Sequence, residues 1–268
     1  MGDHRRVKTC TAAETSTDDL HALLLGDLAA LRVTGFAAEG LCRAVASVFD
    51  ETAFGESAFG EYDASRYVIP AQRFGPTLNE HRVGGALSED YWLARADAAA
   101  ACERLPCLRE LREFVPRRFA ELFGRPVRPA KTAEGRMLHW GILRAIDQGT
   151  LPHWDDVRLE YPANLLSTTV TGQLAFNLFL TDAGEGGRTL VWDRRWAATD
   201  ERHRRGFGYA DDLLDDDEPA VVEPALGTAV LFNSRNYHRV EPCPPGTRRL
   251  SLSFFIAFTT AGSTVIWS

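Results

Sequence analysis

The feature that most limits this chain is a change of hydrophobic period near residue 137. Upstream, apolar residues recur three and four apart, the spacing of one helix face. Leu20, Leu23, Leu24, Leu28 and Leu31 predict a helix from about Asp18 to Leu31. A short strand over Arg32 to Phe36 follows, then a helix from Ala37 to Phe49. Ser88 is an N-cap candidate for a run reaching about Arg104, and Leu108 to Phe123 is a further helix that Gly124 can close. Downstream the apolar runs are short, rich in β-formers and broken by Gly and Pro. Strands are expected at Met137 to Ile146, Gln173 to Leu180, Arg188 to Trp192, Ala220 to Glu223, Ala229 to Phe232 and Arg249 to Phe258. Asp182-Ala-Gly-Glu-Gly-Gly187 is a turn between two of them. Many short strands at such intervals suggest a sandwich or jelly roll. The expectation is an α+β protein, one domain over 1–268. A helical half, about 1–130, packs on a double-stranded β-helix (jelly roll, cupin-like), about 131–268.

Charge and length narrow the partners. The 268 residues carry 30 Lys+Arg against 37 Asp+Glu, a net charge of −7, which argues against a nucleic acid held by phosphate neutralisation. No run of about 18 apolar residues is present, so no membrane-spanning helix is expected. The start, MGDHRRVKTC, has charge without an apolar stretch and predicts no secretory signal. Arg6 stands where a myristoylation motif wants Ser or Thr. Five scattered cysteines (Cys10, Cys42, Cys102, Cys107, Cys243) form neither a disulfide framework nor a zinc pattern, which fits reduced thiols in the cytoplasm. Oligomeric state is not legible.

His153-Trp154-Asp155 projects an imidazole and a carboxylate from one side if the segment is extended. His238 lies far downstream, with Arg249 and Ser251 in phase on the last long strand. Two His and one carboxylate are the facial triad of non-haem Fe(II) oxygenases, which leaves coordination positions open for a 2-oxo acid and O2. Arg249 offers a planar fork to the far carboxylate of 2-oxoglutarate, and Ser251 a further hydrogen bond. Arg248 is the competing anchor. It follows Gly246-Thr247, but it is out of phase with Ser251 and Ser253.

From Met137 to Phe258 these residues resemble the Fe(II)/2-oxoglutarate-dependent oxygenase superfamily. Met137-Leu-His-Trp-Gly-Ile-Leu-Arg144, Leu174 to Leu180 and Gly186 to Trp196 are similar to one branch. That branch holds aliphatic halogenases of free amino acids and indole alkaloids, and their hydroxylating relatives. The resemblance implies Fe(II) on His153, Asp155 and His238, 2-oxoglutarate on Arg249 and Ser251, and O2 as oxidant. The halogenases carry Gly or Ala where this chain has Asp155, so hydroxylation of an aliphatic C–H is expected rather than halogenation. A small metabolite, such as a free amino acid or natural-product scaffold, is the expected substrate. Desaturation or cyclisation uses the same ligands. A protein hydroxylase and a non-catalytic jelly-roll binding module are the other readings.

Other residues keep two readings each. His139 is a structural residue or a substrate group. Asn177 touches cosubstrate or substrate, or satisfies a neighbouring backbone group. Asp156 pairs with a cationic substrate group or is an exposed loop acid. The segment Arg194 to Glu218, basic first and acidic after, is a solvated face or a lid over the pocket.

Overall fold

The computed structural model describes residues 6–51, 59–62, 69, 71–161 and 165–268. The readings at Met1 and Gly2 lie outside them.

The expected period change is present, with two displaced boundaries. Helix α1 runs Thr17–Leu25, where Ser16 and Asp19 form a capping box and Gly26 closes it at φ 90°. The expected helix to Leu31 therefore stops early. Leu28–Thr34 is instead a strand, paired on both edges. Its apolar residues mimic helical spacing because nearly the whole run is buried. Helices α2 (Glu39–Glu51), α3 (Glu89–Arg104) and α4 (Pro106–Phe123) follow. Ser88 precedes α3 without a side-chain capping bond, and Gly124 closes α4 at φ 62°. In the expected strand Met137 to Ile146, only Ile142–Ala145 pairs as a strand, because Gly141 turns the backbone at φ 79°.

Strands are labelled β1 (Arg6–Thr11), β2 (Leu28–Thr34), β3 (Gln72–Phe74), β4 (Ile142–Ala145), β5 (Val170–Phe179) and β6 (Thr189–Arg195). The remainder are β7 (Ala220–Val222), β8 (Ala229–Phe232), β9 (Asn236–Val240), β10 (Leu250–Thr259) and β11 (Thr264–Trp267). The large sheet has the order β1-β2-β8-β5-β10-β4-β3, extended beyond β3 by Phe59–Glu61, with β11 branching from β10. A second sheet has the order β7-β6-β9.

Alternation along β5 and β10 divides the molecule. Leu174, Phe176 and Leu178, with Leu250, Leu252, Phe254 and Ile256, pack with residues of the helices in the main core. Ala175 and Phe179 turn the other way and meet Val191 and Val222 of the second sheet. Asn177, Ser251 and Ser253 share that second face, and all three are buried. Helices thus cover one side of the large sheet, and polar residues emerge only where the two sheets face each other. Among the described residues, no helix is long and apolar enough to cross a membrane.

Candidate active site

His153 and His238 are brought together by the backbone. Each donates its N–H to the other's carbonyl, at 2.9 and 2.8 Å, so the rings stand side by side with centroids 4.3 Å apart. The segment around His153 is a single bridge rather than the expected strand. Its neighbours nevertheless point to opposite sides. The Trp154 indole donates to the Tyr209 hydroxyl and lies against Trp196. Asp155 returns toward the histidines, its Oδ2 3.4 Å from His238 Nε2 and 4.0 Å from His153 Nε2.

The backbone after His153 is pinned by a residue that motif reading missed. Gln173 on β5 accepts from the Val157 N–H at 3.0 Å and donates to the Asp155 carbonyl at 3.1 Å. Ser234 donates to the same carbonyl and accepts the Asp155 N–H on its own. No local motif marks Gln173. Only the pairing of sheet and loop shows its part.

The chemistry of this donor set fits a divalent transition metal. One ligand atom from each of His153, Asp155 and His238 lies within 4.8 Å of the others. His153 Nδ1 is 2.9 Å from the Leu151 carbonyl and His238 Nδ1 is 3.0 Å from that of Asn236. Those bonds place the protons on Nδ1 and leave both Nε2 lone pairs facing Asp155. Burial and the neighbouring His238 push His153 down to about 4, so it is neutral and able to coordinate. Burial alone would raise Asp155; the two imidazoles facing it outweigh that and hold its carboxyl below the usual carboxylate range.

Arg249 and Arg248 diverge. Arg249 is 2% exposed. One nitrogen donates to Thr189 Oγ1 at 3.2 Å, while Nε and Nη1 are buried without partners among the described residues. Burial, then the charge of Arg144, push Arg249 down to about 9. Arg248 turns outward to Asp50 and Gln72. The in-phase residue thus carries the unspent donors. Beside it Ser251 lies 3.2 Å from Ser253, and Ser253 donates to Asn177 Oδ1 at 2.7 Å. Asn177 lines the cavity next to the triangle.

Two residues are used elsewhere. The Asp156 carboxylate caps the short helix α5 (Val157–Glu160) through the Arg158 N–H and forms a 2.7 Å ion pair with the Arg158 guanidinium. His139 is buried behind Gly75, whose left-handed φ of 90° and missing side chain admit the ring. A Cβ there would lie 2.5 Å from His139 Nε2. Neither Asp156 nor His139 lines the cavity.

The charged segment is folded. A 3-10 helix (Ala198–His203) leads into a hairpin of Arg204–Arg205 with Gly208–Tyr209. Ion pairs tie it together, Glu201 with Arg204 at 2.6 Å and Arg194 with Asp200 at 2.9 Å, and Arg194 also reaches Asp217 of the acidic half at 3.6 Å. The Tyr209 N–H donates to the Pro152 carbonyl, and Phe207 at the hairpin tip lies 5.6 Å from the His153 ring. The segment is a wall of the cavity next to the triangle.

A buried His-Asp-His triangle on this fold, together with a buried arginine carrying unpartnered donors at the head of β10, fits a 2-oxoglutarate-dependent iron oxygenase. The 2OG-Fe(II) oxygenase superfamily model matches residues 141–257. The chain is 36% identical over 254 residues to an L-gamma-glutamyl-L-propargylglycine hydroxylase of Streptantibioticus cattleyicolor, spanning 94% of this chain and 91% of that protein. It is 31% identical over 142 residues to leucinostatins biosynthesis cluster protein S of Purpureocillium lilacinum, 50% of this chain and 57% of that one. The N-substituted L-amino acid dioxygenase of Burkholderia ambifaria shares the fold, with a TM-score of 0.59 over 94% of this chain and 91% of that one, at 18% identity. The chain belongs to the 2OG-Fe(II) oxygenase superfamily. It is a 2-oxoglutarate-dependent dioxygenase, and its cofactor and cosubstrates are Fe(II), 2-oxoglutarate and O2.

Proposed function

We propose that the chain hydroxylates an aliphatic C–H of a small, amino-acid-derived metabolite, with L-γ-glutamyl-L-propargylglycine as the first compound to test. The similar hydroxylase across nearly the full length supports this choice. His153, Asp155 and His238 hold Fe(II). Arg249 holds the far carboxylate of 2-oxoglutarate, with Ser251 beside it. When bound, the iron supplies the oxidative decarboxylation of 2-oxoglutarate to succinate and CO2, coupled to oxidation of the substrate. The chain's residues do the rest. His153 and His238 present their Nε2 atoms, Asp155 supplies a negative oxygen, and Gln173 holds the loop that carries Asp155. Phe207 and the hairpin keep water from the cavity.

The observation that carries hydroxylation is Asp155 within the triangle. With iron bound, the Asp155 carboxylate would take the coordination position that a halide would need. Product mass spectrometry with and without saturating chloride tests this. A gain of one oxygen in both is expected, and a chlorinated product would refute it. We also read the two facing sheets as the double-stranded β-helix of one domain over 1–268. The helices of about 1–130 support the β-core of about 131–268. Free cysteines throughout, none paired in a disulfide, support a cytoplasmic setting. The net charge supports a small-molecule partner rather than a nucleic acid, and no membrane partner is proposed.

A further inference from the structure

The cavity beside the triangle has mostly apolar walls, including Ile142, Phe255 and Trp267. Besides Asp155 and His153 it carries two ionisable side chains of opposite kind, Arg144 and Glu160. Arg144 sits on β4 directly across the ladder from Ser251, so it shares the inward face of Arg249. Its Nε is buried without a hydrogen-bond partner among the described residues, and its guanidinium lies beside the Tyr62 hydroxyl. Asp155 on the same cavity is engaged by both histidines.

Glu160 ends α5. Its carboxylate accepts a hydrogen bond from Asn79, another cavity residue. Burial, then the charge of Asp155, push it up to about 8, against the opposing pull of Arg82. Arg82 spends a donor on the Glu160 backbone carbonyl, 2.8 Å away. Asp156 acts on Glu160 in the same sense as Asp155. One cavity therefore holds a guanidinium and a carboxyl group that an ammonium ligand would return to its anionic form.

Burying a guanidinium with an unpartnered nitrogen and a carboxyl group in a mostly apolar cavity is unfavourable for the fold, and apolar residues in their place would be more stable. A ligand with the complementary charges offsets that cost, and a ligand lacking either leaves a buried charge unmatched. We infer that Arg144 receives a carboxylate and Glu160 an ammonium group of one zwitterionic substrate. The site then selects a compound with both a free amine and a free acid over its N-acylated or amidated forms. This rests on the amino-acid-derived substrate proposed above.

The experiment uses the full chain loaded anaerobically with Fe(II) and 2-oxoglutarate. Dissociation constants are measured by calorimetry for L-γ-glutamyl-L-propargylglycine, its N-acetyl derivative and its two monoamides. Turnover of each is then followed by succinate formation. With the unaltered protein, N-acetylation and one of the amidations should each weaken binding by about 30-fold or more. Glu160→Gln should weaken the parent compound similarly and bind the N-acetyl form as well as the parent. Arg144→Gln should do the same for the affected monoamide. It should leave 2-oxoglutarate affinity within about threefold of the unaltered value, by the same affinity arithmetic. The modified ligands test the unaltered protein, so the answer does not depend on a variant folding. Parent turnover without discrimination, or discrimination that survives both substitutions, overturns the inference alone. A loss of 2-oxoglutarate affinity in Arg144→Gln moves that residue to the cosubstrate and also overturns it. No binding or turnover of the dipeptide or of any free amino acid in a panel overturns the proposed substrate class and this inference with it.

Discussion

Replacing Arg249 by Met should not destabilise the ligand-free protein, yet it should remove about two-thirds or more of the stabilisation by 2-oxoglutarate. Arg249 is buried, with one hydrogen bond and two unpartnered donor nitrogens among the described residues. Its fall from 12.5 to about 9 corresponds to about 5 kcal/mol, the most that holding it charged costs the ligand-free fold at neutral pH. That cost is complete below about 9 and disappears only as pH rises through 12.5. Met keeps the packing of the stem and removes the charge. Against this relief stands one lost hydrogen bond, about 1 kcal/mol. The ligand-free variant should therefore melt no lower than the unaltered protein. Truncating a buried charge pair weakens binding by about 2–5 kcal/mol, or roughly 30- to 5000-fold. At 100 times its Kd, 2-oxoglutarate stabilises the unaltered protein by about 2.7 kcal/mol. A 30-fold weaker variant at the same concentration retains about 0.9 kcal/mol. Thermal melts with Fe(II) replaced by a redox-inert divalent ion, with and without 2-oxoglutarate, measure both quantities. An undiminished shift in Arg249→Met would refute the assignment of the anchor.

Four further outcomes follow from the geometry. Arg248→Ala should leave the KM for 2-oxoglutarate nearly unchanged, because Arg248 faces Asp50 and Gln72; a larger effect than that of Arg249→Ala would reverse the ranking. His238→Ala should abolish metal binding and succinate formation together, and full turnover would dismiss the triangle. Gln173→Leu strands the Val157 N–H and removes one of two donors to the Asp155 carbonyl. It should cost about 1–3 kcal/mol in stability and weaken iron binding about 10- to 100-fold, measured by metal titration against a chelator. The Glu201 carboxyl is held down at about 2, first by the hydrogen bond from Arg204, with burial opposing it as the next largest effect and the hydrogen bonds of Tyr209 and Trp196 adding to the fall. Its contribution is present above about 4.5 and lost as pH falls through about 2. Trp196, bonded to Glu201 at 2.7 Å, should report this as a fluorescence change in that window, absent in Glu201→Gln.

Local signals carried much of the design. The helical spacing of Leu108 to Phe123 and the β-rich run Arg249 to Phe258 were readable because each element buries one face against a partner of fixed period. The phase of Arg249 with Ser251 singled out the inward arginine, since alternate residues of a strand share a face whatever lies across from them. Spacing alone could not find the end of α1. Leu28 and Leu31 satisfy a helix pattern, and only pairing with β1 and β8 shows that strand burial on both faces produced it. The fates of Asp156 and His139 were equally hidden. Which group a carboxylate or imidazole meets depends on Arg158 and Gly75, and proximity in the chain does not fix side-chain direction. Gln173 and Glu160 carry no motif at all, and Arg144 ends a family-like run that assigns it no role. They matter because β5, β4 and α5 converge on one cavity, a consequence of tertiary packing that brings residues distant in sequence within reach of the same space.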